Sequence, residues 1–297
     1  MELTETPYLL LLYACIYGYK WLFCLQGKWR QGKACTRRIM QLLVPYLLWS
    51  FIACLIGLDI SLGKLVDLLL YPDRSFWFLW ILFLISIVFV CCQRLADKIN
   101  VDELLLVGWS ACFLFGLMVI FDIRIFGFQF LSYYFLFYTF GYCIHRFPKL
   151  QIRNPILVIF PFLLWFFMAW FWNMHELPLW MPNIPYVPHS LLQYVYRGVT
   201  AVVALWVIFG IAPRILNVRN LFNRWIKNLG MISLGVYVVH MILLSRVRDS
   251  IMFFFPNNPL WLNICIIFVL VLVITVTIVE LLMRNKWTKK LLFGKTN

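Results

Sequence analysis

Charge is scarce in this chain. Only 13% of its 297 residues are Asp, Glu, Lys or Arg and 64% are hydrophobic, against about a quarter and about a half in a soluble domain. No soluble fold can hide so much apolar surface. Strands of about ten alternating residues, the mark of a membrane barrel, are also missing. The apolar runs are long and unbroken, and lipid offers the backbone no hydrogen-bond partners, so the spanning elements must be helices. The nine cysteines include no CxxC pair and no histidine at ligand spacing, which argues against a metal site and reads them as small core residues. The first apolar segment lacks a basic leader and a small-residue cleavage site, which argues against a removable signal peptide. No internal repeat announces an inverted-repeat transporter. The net charge of +14 does not indicate a nucleic-acid partner, because the basic residues punctuate apolar runs instead of forming a face with polar or aromatic readers. The expected fold is an all-α polytopic transmembrane helix bundle.

Nine spans of about 17 to 25 residues can be placed, at 7–26, 39–60, 76–93, 104–121, 127–145, 155–174, 198–216, 230–246 and 260–283. One set of alternate connections holds nineteen basic residues: Lys28, Arg30, Lys33, Arg37, Arg38, Arg94, Lys98, Arg146, Lys149, Arg153, Arg214, Arg219, Arg224, Lys227, Arg284, Lys286, Lys289, Lys290 and Lys295. The other holds six, Lys64, Arg74, Arg124, Arg197, Arg246 and Arg248. The richer side is cytoplasmic, so the C-terminus lies inside and the N-terminus outside. An outside start with Glu2 and Glu5 and no basic residue before Lys20 suggests that one leading helix is missing. Apolar residues at helical spacing predict interfacial helices over Ile215 to Leu229 and Leu62 to Leu70. Pro178, Pro182, Pro185 and Pro188 predict an irregular outer lid without a long helix from His175 to Arg197.

Ionisable groups inside a membrane are costly, so each is a functional candidate. Ser233, Tyr237 and His240 stand four and three residues apart, on one helical face. A neutral imidazole there can take a proton; the same stripe can equally glue helices by hydrogen bonds. Glu280 stands four residues before Arg284, which predicts an interfacial ion pair. His145 closes the fifth span among basic residues, and His175, Glu176 and His189 belong to the lid. Lys33, Arg37 and Arg38 suit either topology and anionic headgroups or the phosphates of a cytosolic donor.

Four stretches resemble the acyltransferase 3 family of membrane-bound acyltransferases, which includes bacterial O-acetyltransferases of lipopolysaccharide and exopolysaccharide sugars. The strongest is Leu229-Gly230-Met231-Ile232-Ser233-Leu234-Gly235-Val236-Tyr237-Val238-Val239-His240, similar to that family's LG..SYGIYLLH signature. The others, in the family's order, are Arg38 to Ser50 (RIMQLLVPYLLWS), Trp77-Phe78-Leu79, and Tyr134 to Tyr142 (YFLFYTFGY).

The resemblance implies one acyltransferase domain over 1–297, shortened at its N-terminus relative to the family, in the cytoplasmic (inner) membrane of a bacterium. It also implies an acyl-CoA donor, in the first place acetyl-CoA, reached from the cytoplasm, no metal, and a glycan or lipid-linked sugar hydroxyl as acceptor on the outer side. On it, Arg37, Arg38 and Gln41 stand at the donor phosphates, and the face of Ser233, Tyr237 and His240 lines the passage. The resemblance places the family's catalytic histidine in its first helix, eleven residues after an arginine; no early span here has Arg-x10-His, which agrees with the missing leading helix. The family's second arginine ahead of Pro-Tyr is Gln41 here, which donates hydrogen bonds but adds no charge. These departures keep open a catalytically inactive member, acting as a transporter or assembly subunit for a lipid-linked glycan, and a purely structural membrane subunit. Acyl group, acceptor and oligomeric state are not fixed by sequence.

Overall fold

The computed structural model describes residues 38–56, 63, 76–121, 123, 125–147, 156–171, 178, 189–217 and 221–294. Their regular structure is entirely helical, and the protein is a polytopic membrane helix bundle. A π-turn over Ile39–Leu43 leads into α1, Val44–Ile56, and α2 to α5 follow as Trp77–Ile99, Glu103–Phe121, Phe128–Arg146 and Ile156–Trp170. The remaining helices are α6, His189–Asn217; α7, Leu221–Phe254; α8, Leu260–Arg284; and α9, Lys286–Phe293. Helices α1 to α8 occupy the positions of eight predicted spans, and five stretches among them are both long and apolar enough to cross a bilayer. Side chains such as Trp109, Phe160, Phe268 and Val273 are largely exposed, as expected of surfaces solvated by lipid instead of water. The predicted first span and the Leu62 to Leu70 helix, apart from residue 63, lie outside the described residues.

Two compact units make up the chain, one from residues 1–29, 92–123 and 132–223, the other from 30–91, 124–131 and 224–297. In the first, Asp102 caps α3 by accepting from the Leu104 amide at 2.7 Å. It also takes both arms of Arg146 at the end of α4, at 2.9 and 2.8 Å. The Leu104 amide first, and then the Arg146 guanidinium, hold the Asp102 carboxyl below its usual range, so the pair stays ionised at neutral pH. Both partners are exposed, so the pair matters more for geometry than for stability. It places the α2–α3 turn and the end of α4 together, as the basic-residue map requires. Helices α5 and α6 pack on each other, with the Tyr196 hydroxyl donating to the Met168 carbonyl at 2.6 Å.

In the second unit the turn between α7 and α8 is tied by Asn263, almost fully buried, which donates to the Phe255 carbonyl at 3.1 Å and accepts from Asn258 at 3.2 Å. Below it Ile251, Ile267 and Val271 form an apolar core. Arg246 donates to the Ile56 carbonyl at 3.2 Å, which satisfies an orphan acceptor at the end of α1.

Three expectations are corrected. The lid does contain the start of a long helix, because α6 begins at His189, directly after the last of its prolines; proline restricts the residue before it and permits a helix after it. The interfacial helix over Ile215 to Leu229 is no separate element: Ile215 to Asn217 end α6 and Leu221 to Leu229 open α7. A lone Gly230 costs a helix only about 1 kcal/mol, too little to break one that gains from its neighbours. Finally, Glu280 and Arg284 are both exposed, and no ion pair joins them among the described residues.

Candidate functional site

Five of the six residues singled out as site residues, Arg38, Gln41, Ser233, Tyr237 and His240, belong to the second unit. Arg37 lies outside the described residues. The lower part of the site is the π-turn. Pro45 has no N–H to give the Gln41 carbonyl, and in a regular helix its ring would press on that same group. The chain widens there instead, with the Val44 amide bonded to the Ile39 carbonyl five residues back. Such π-turns recur at functional sites. Arg38 is 5% exposed and donates through Nη1 to Gln41 Oε1 at 3.4 Å. The glutamine carbonyl thus faces the guanidinium.

Against this turn rests α9, which sequence reasoning did not pick out. Its first turn is capped by the Asn285 side chain, which accepts from the Trp287 amide at 2.9 Å. Its last turn is closed by Gly294 in the left-handed conformation, whose amide bonds to the Lys289 carbonyl. Phe293 is buried, 6.1 Å from the Trp49 ring, and Trp49 Nε1 donates to the Leu292 carbonyl at 2.8 Å. A Cβ at Gly235 would lie 2.6 Å from the Phe293 ring and 2.8 Å from Val279, and one at Gly294 would lie 2.4 Å from the Gln41 Cα. Two glycines therefore seat α9 between α1, α7 and α8. Asn285 ahead of Lys286 and Gly294 after Phe293 were readable as helix start and stop signals.

Two residues beyond Gly235, on a different side of α7, the Tyr237 ring is buried and meets Phe78 edge-on at 5.3 Å. Two of the four familiar stretches, far apart in sequence, thus touch. The Tyr46 and Trp80 rings lie tilted at 5.5 Å, Trp77 stacks on Phe130 at 4.8 Å, and Trp80 Nε1 donates to the Phe126 carbonyl at 3.0 Å. His240 is half-buried, with its ring 5.7 Å from Tyr237. Its Nδ1 lies 3.0 Å from the Val236 carbonyl. A carbonyl only accepts, so Nδ1 carries the hydrogen and Nε2 is the basic nitrogen of the neutral ring. Ser233 is buried one turn before Tyr237.

The structure therefore brings Arg38 to Gln41 and Tyr237 to His240, and packs Gly235 against Phe293. These residues offer a cation, an aromatic wall, and an imidazole whose second ring nitrogen is not engaged by Val236. Of the other histidines, His175 lies outside the described residues, while His145 closes α4 and His189 opens α6 with side chains that are likewise outside them. A family model described as an acyltransferase domain matches residues 9–280 of the chain. No curated protein and no solved structure matches it.

Proposed function

Because the chain belongs to the acyltransferase 3 family, we propose that it moves an acyl group, acetyl in the first instance, from cytosolic acyl-CoA to a hydroxyl of an envelope or exported glycan. Arg38 and Gln41, with Arg37, take the donor phosphates. His240 Nε2 removes the acceptor's proton as its oxygen attacks the thioester carbonyl. The tetrahedral intermediate collapses by breaking the carbon–sulfur bond, and the departing CoA thiolate recovers the proton. Tyr237 and Ser233 line the route and supply hydroxyl donors to the developing oxyanion.

The observation that carries this reading is the Nδ1 bond from His240 to the Val236 carbonyl at 3.0 Å, which spends one ring nitrogen on orientation and keeps the other basic. Gln41 in place of a second arginine favours the alternative of a member that handles a lipid-linked glycan without transfer. Deleting the gene and analysing purified surface glycan separates the two. The transferase reading expects O-acyl groups to disappear and to return with the wild-type gene, at unchanged glycan yield. Unchanged acylation with a lower yield of exported glycan would replace it with the transport or assembly reading.

A further inference from the structure

Helix α9 has the sequence KWTKKLLF and lies beyond the residues that the family model matches. A single residue separates it from α8: Asn285 has extended backbone, φ −87° and ψ 130°, so the chain leaves the last long apolar helix and starts a new one in another direction. The far end of α9 is docked, with Phe293 buried against Gly235 and Gly294 on the Gln41 backbone. Its near end is not. Lys286, Trp287, Lys290 and Leu291 are all exposed, Trp287 by 72% and Leu291 by 39%, whereas Thr288 and Lys289 are half-buried. At 3.6 residues per turn the four exposed positions fall on one arc of about 140°, with Lys286 and Lys290 along one edge and Trp287 and Leu291 along the other. From Asn285 to Asn297 the chain has no Asp or Glu, and among the described residues neither Lys286 nor Lys290 enters an ion pair.

We propose that this arc is a binding surface for anionic glycerophospholipids, with Lys286 and Lys290 on the headgroup phosphates and Trp287 and Leu291 between the headgroups and the acyl chains. An arc that is half basic and half apolar suits the boundary of a bilayer, where an indole settles at headgroup depth and a lysine stem reaches outward to a phosphate. Position supports the same partner. Helix α9 begins one residue after α8, which has 25 residues and is long and apolar enough to cross the membrane, so its first turn emerges where headgroups lie. A soluble anion such as CoA would match the lysines but leave Trp287 and Leu291 in water. A symmetric dimer through the arc would set lysine against lysine. The inference does not depend on the transferase reading. Because Gly294 rests on the π-turn, lipid held on the arc also steadies the docked end of α9.

The test titrates phosphatidylglycerol into phosphatidylcholine nanodiscs that hold the full chain, and reads the lipids retained on the protein by native mass spectrometry together with hydrogen exchange of the α9 amides. Wild type should retain phosphatidylglycerol over phosphatidylcholine, and exchange in α9 should slow as it is added. Lys286→Gln and Lys290→Gln should each raise the phosphatidylglycerol needed about fivefold, the usual worth of one basic side chain at an anionic surface, and the difference should shrink in high salt. Lys286→Arg with Lys290→Arg should preserve retention, since guanidinium also pairs with phosphate. Trp287→Ala should weaken retention of both lipids. Arg94→Gln with Lys98→Gln, which removes the same charge from exposed positions near the end of α2, should leave the lipid response of α9 unaltered. Equal slowing of α9 exchange in wild type and in the Lys286→Gln, Lys290→Gln double variant would overturn the proposal, as would an equal loss of that response in the α2 variant, which would make it a matter of net charge. Loss of CoA binding or of a dimer in the α9 double variant, with lipid retention unchanged, would assign the arc to those partners and the proposal would fail.

Discussion

His240→Gln is expected to lower acyl transfer by roughly two to four powers of ten, the usual share of a positioned general base, while expression and detergent melting stay close to wild type. Glutamine keeps a donor and an acceptor but has no nitrogen that titrates near neutral pH. The competing account makes the stripe of Ser233, Tyr237 and His240 mere glue between helices, with bonds averaging about 0.6 kcal/mol each. On that account the same substitution shifts melting slightly and leaves transfer intact. The geometry speaks to this choice, because the Nδ1 bond ends on Val236 of the same helix and so joins no second helix. Full transfer by a stable His240→Gln protein would assign the histidine to packing.

Gly235→Ala is the second large effect. The added methyl would meet Phe293 at 2.6 Å and Val279 at 2.8 Å. Val279 is fully buried, and Phe293 is fixed beside Trp49, so neither can give way cheaply. Overpacking of this kind costs about 1 to 3 kcal/mol, and it should be relieved by release of Phe293. The variant should therefore melt lower and lose its C-terminal helix to limited proteolysis sooner than wild type. Gly235→Ala combined with Phe293→Leu should recover part of the loss, since the smaller side chain vacates the ring edge, and a double-mutant cycle measures that coupling. Gly116→Ala and Gly198→Ala are the controls. Neither meets an atom within 4 Å, so each should be neutral or stabilising by the better helix propensity of alanine, about 1 kcal/mol. Equal destabilisation by all three substitutions would show that Gly235 is not a packing position.

Hydrophobicity located the long apolar helices of the described residues well, because a run of about twenty apolar residues has few alternatives. It located their ends poorly. Helix α7 continues from Arg246 to Phe254 through Arg248, Asp249 and Ser250, where polarity marks exit from the bilayer but nothing stops the backbone bonds until Pro256. The same holds at its start and at that of α6. Helix α9 was missed because eight residues of mixed polarity fall below any span criterion, and only Asn285 and Gly294 betrayed it. Within the site, the common face of Tyr237 and His240 was legible from spacing. The bond from Nδ1 to Val236 was not, since it depends on a rotamer, and neither was the contact of Phe78 with Tyr237, which closes a long stretch of sequence. The proximity of Gln41 to Arg38 followed from their separation of three residues, whereas the π-turn that carries them needed the backbone geometry around Pro45.

The central claim is transfer of an acyl group from CoA to a hydroxyl, and the direct measurement follows labelled acetyl in proteoliposomes that contain the full chain, supplied with acetyl-CoA on the face bearing Arg38 and with purified envelope glycan on the other. The account predicts label in alkali-labile ester on the glycan, one CoA thiol released for each acetyl moved, and neither product with His240→Gln. Acetyl-CoA left intact in the presence of glycan, or hydrolysed with no label on the glycan, would contradict it.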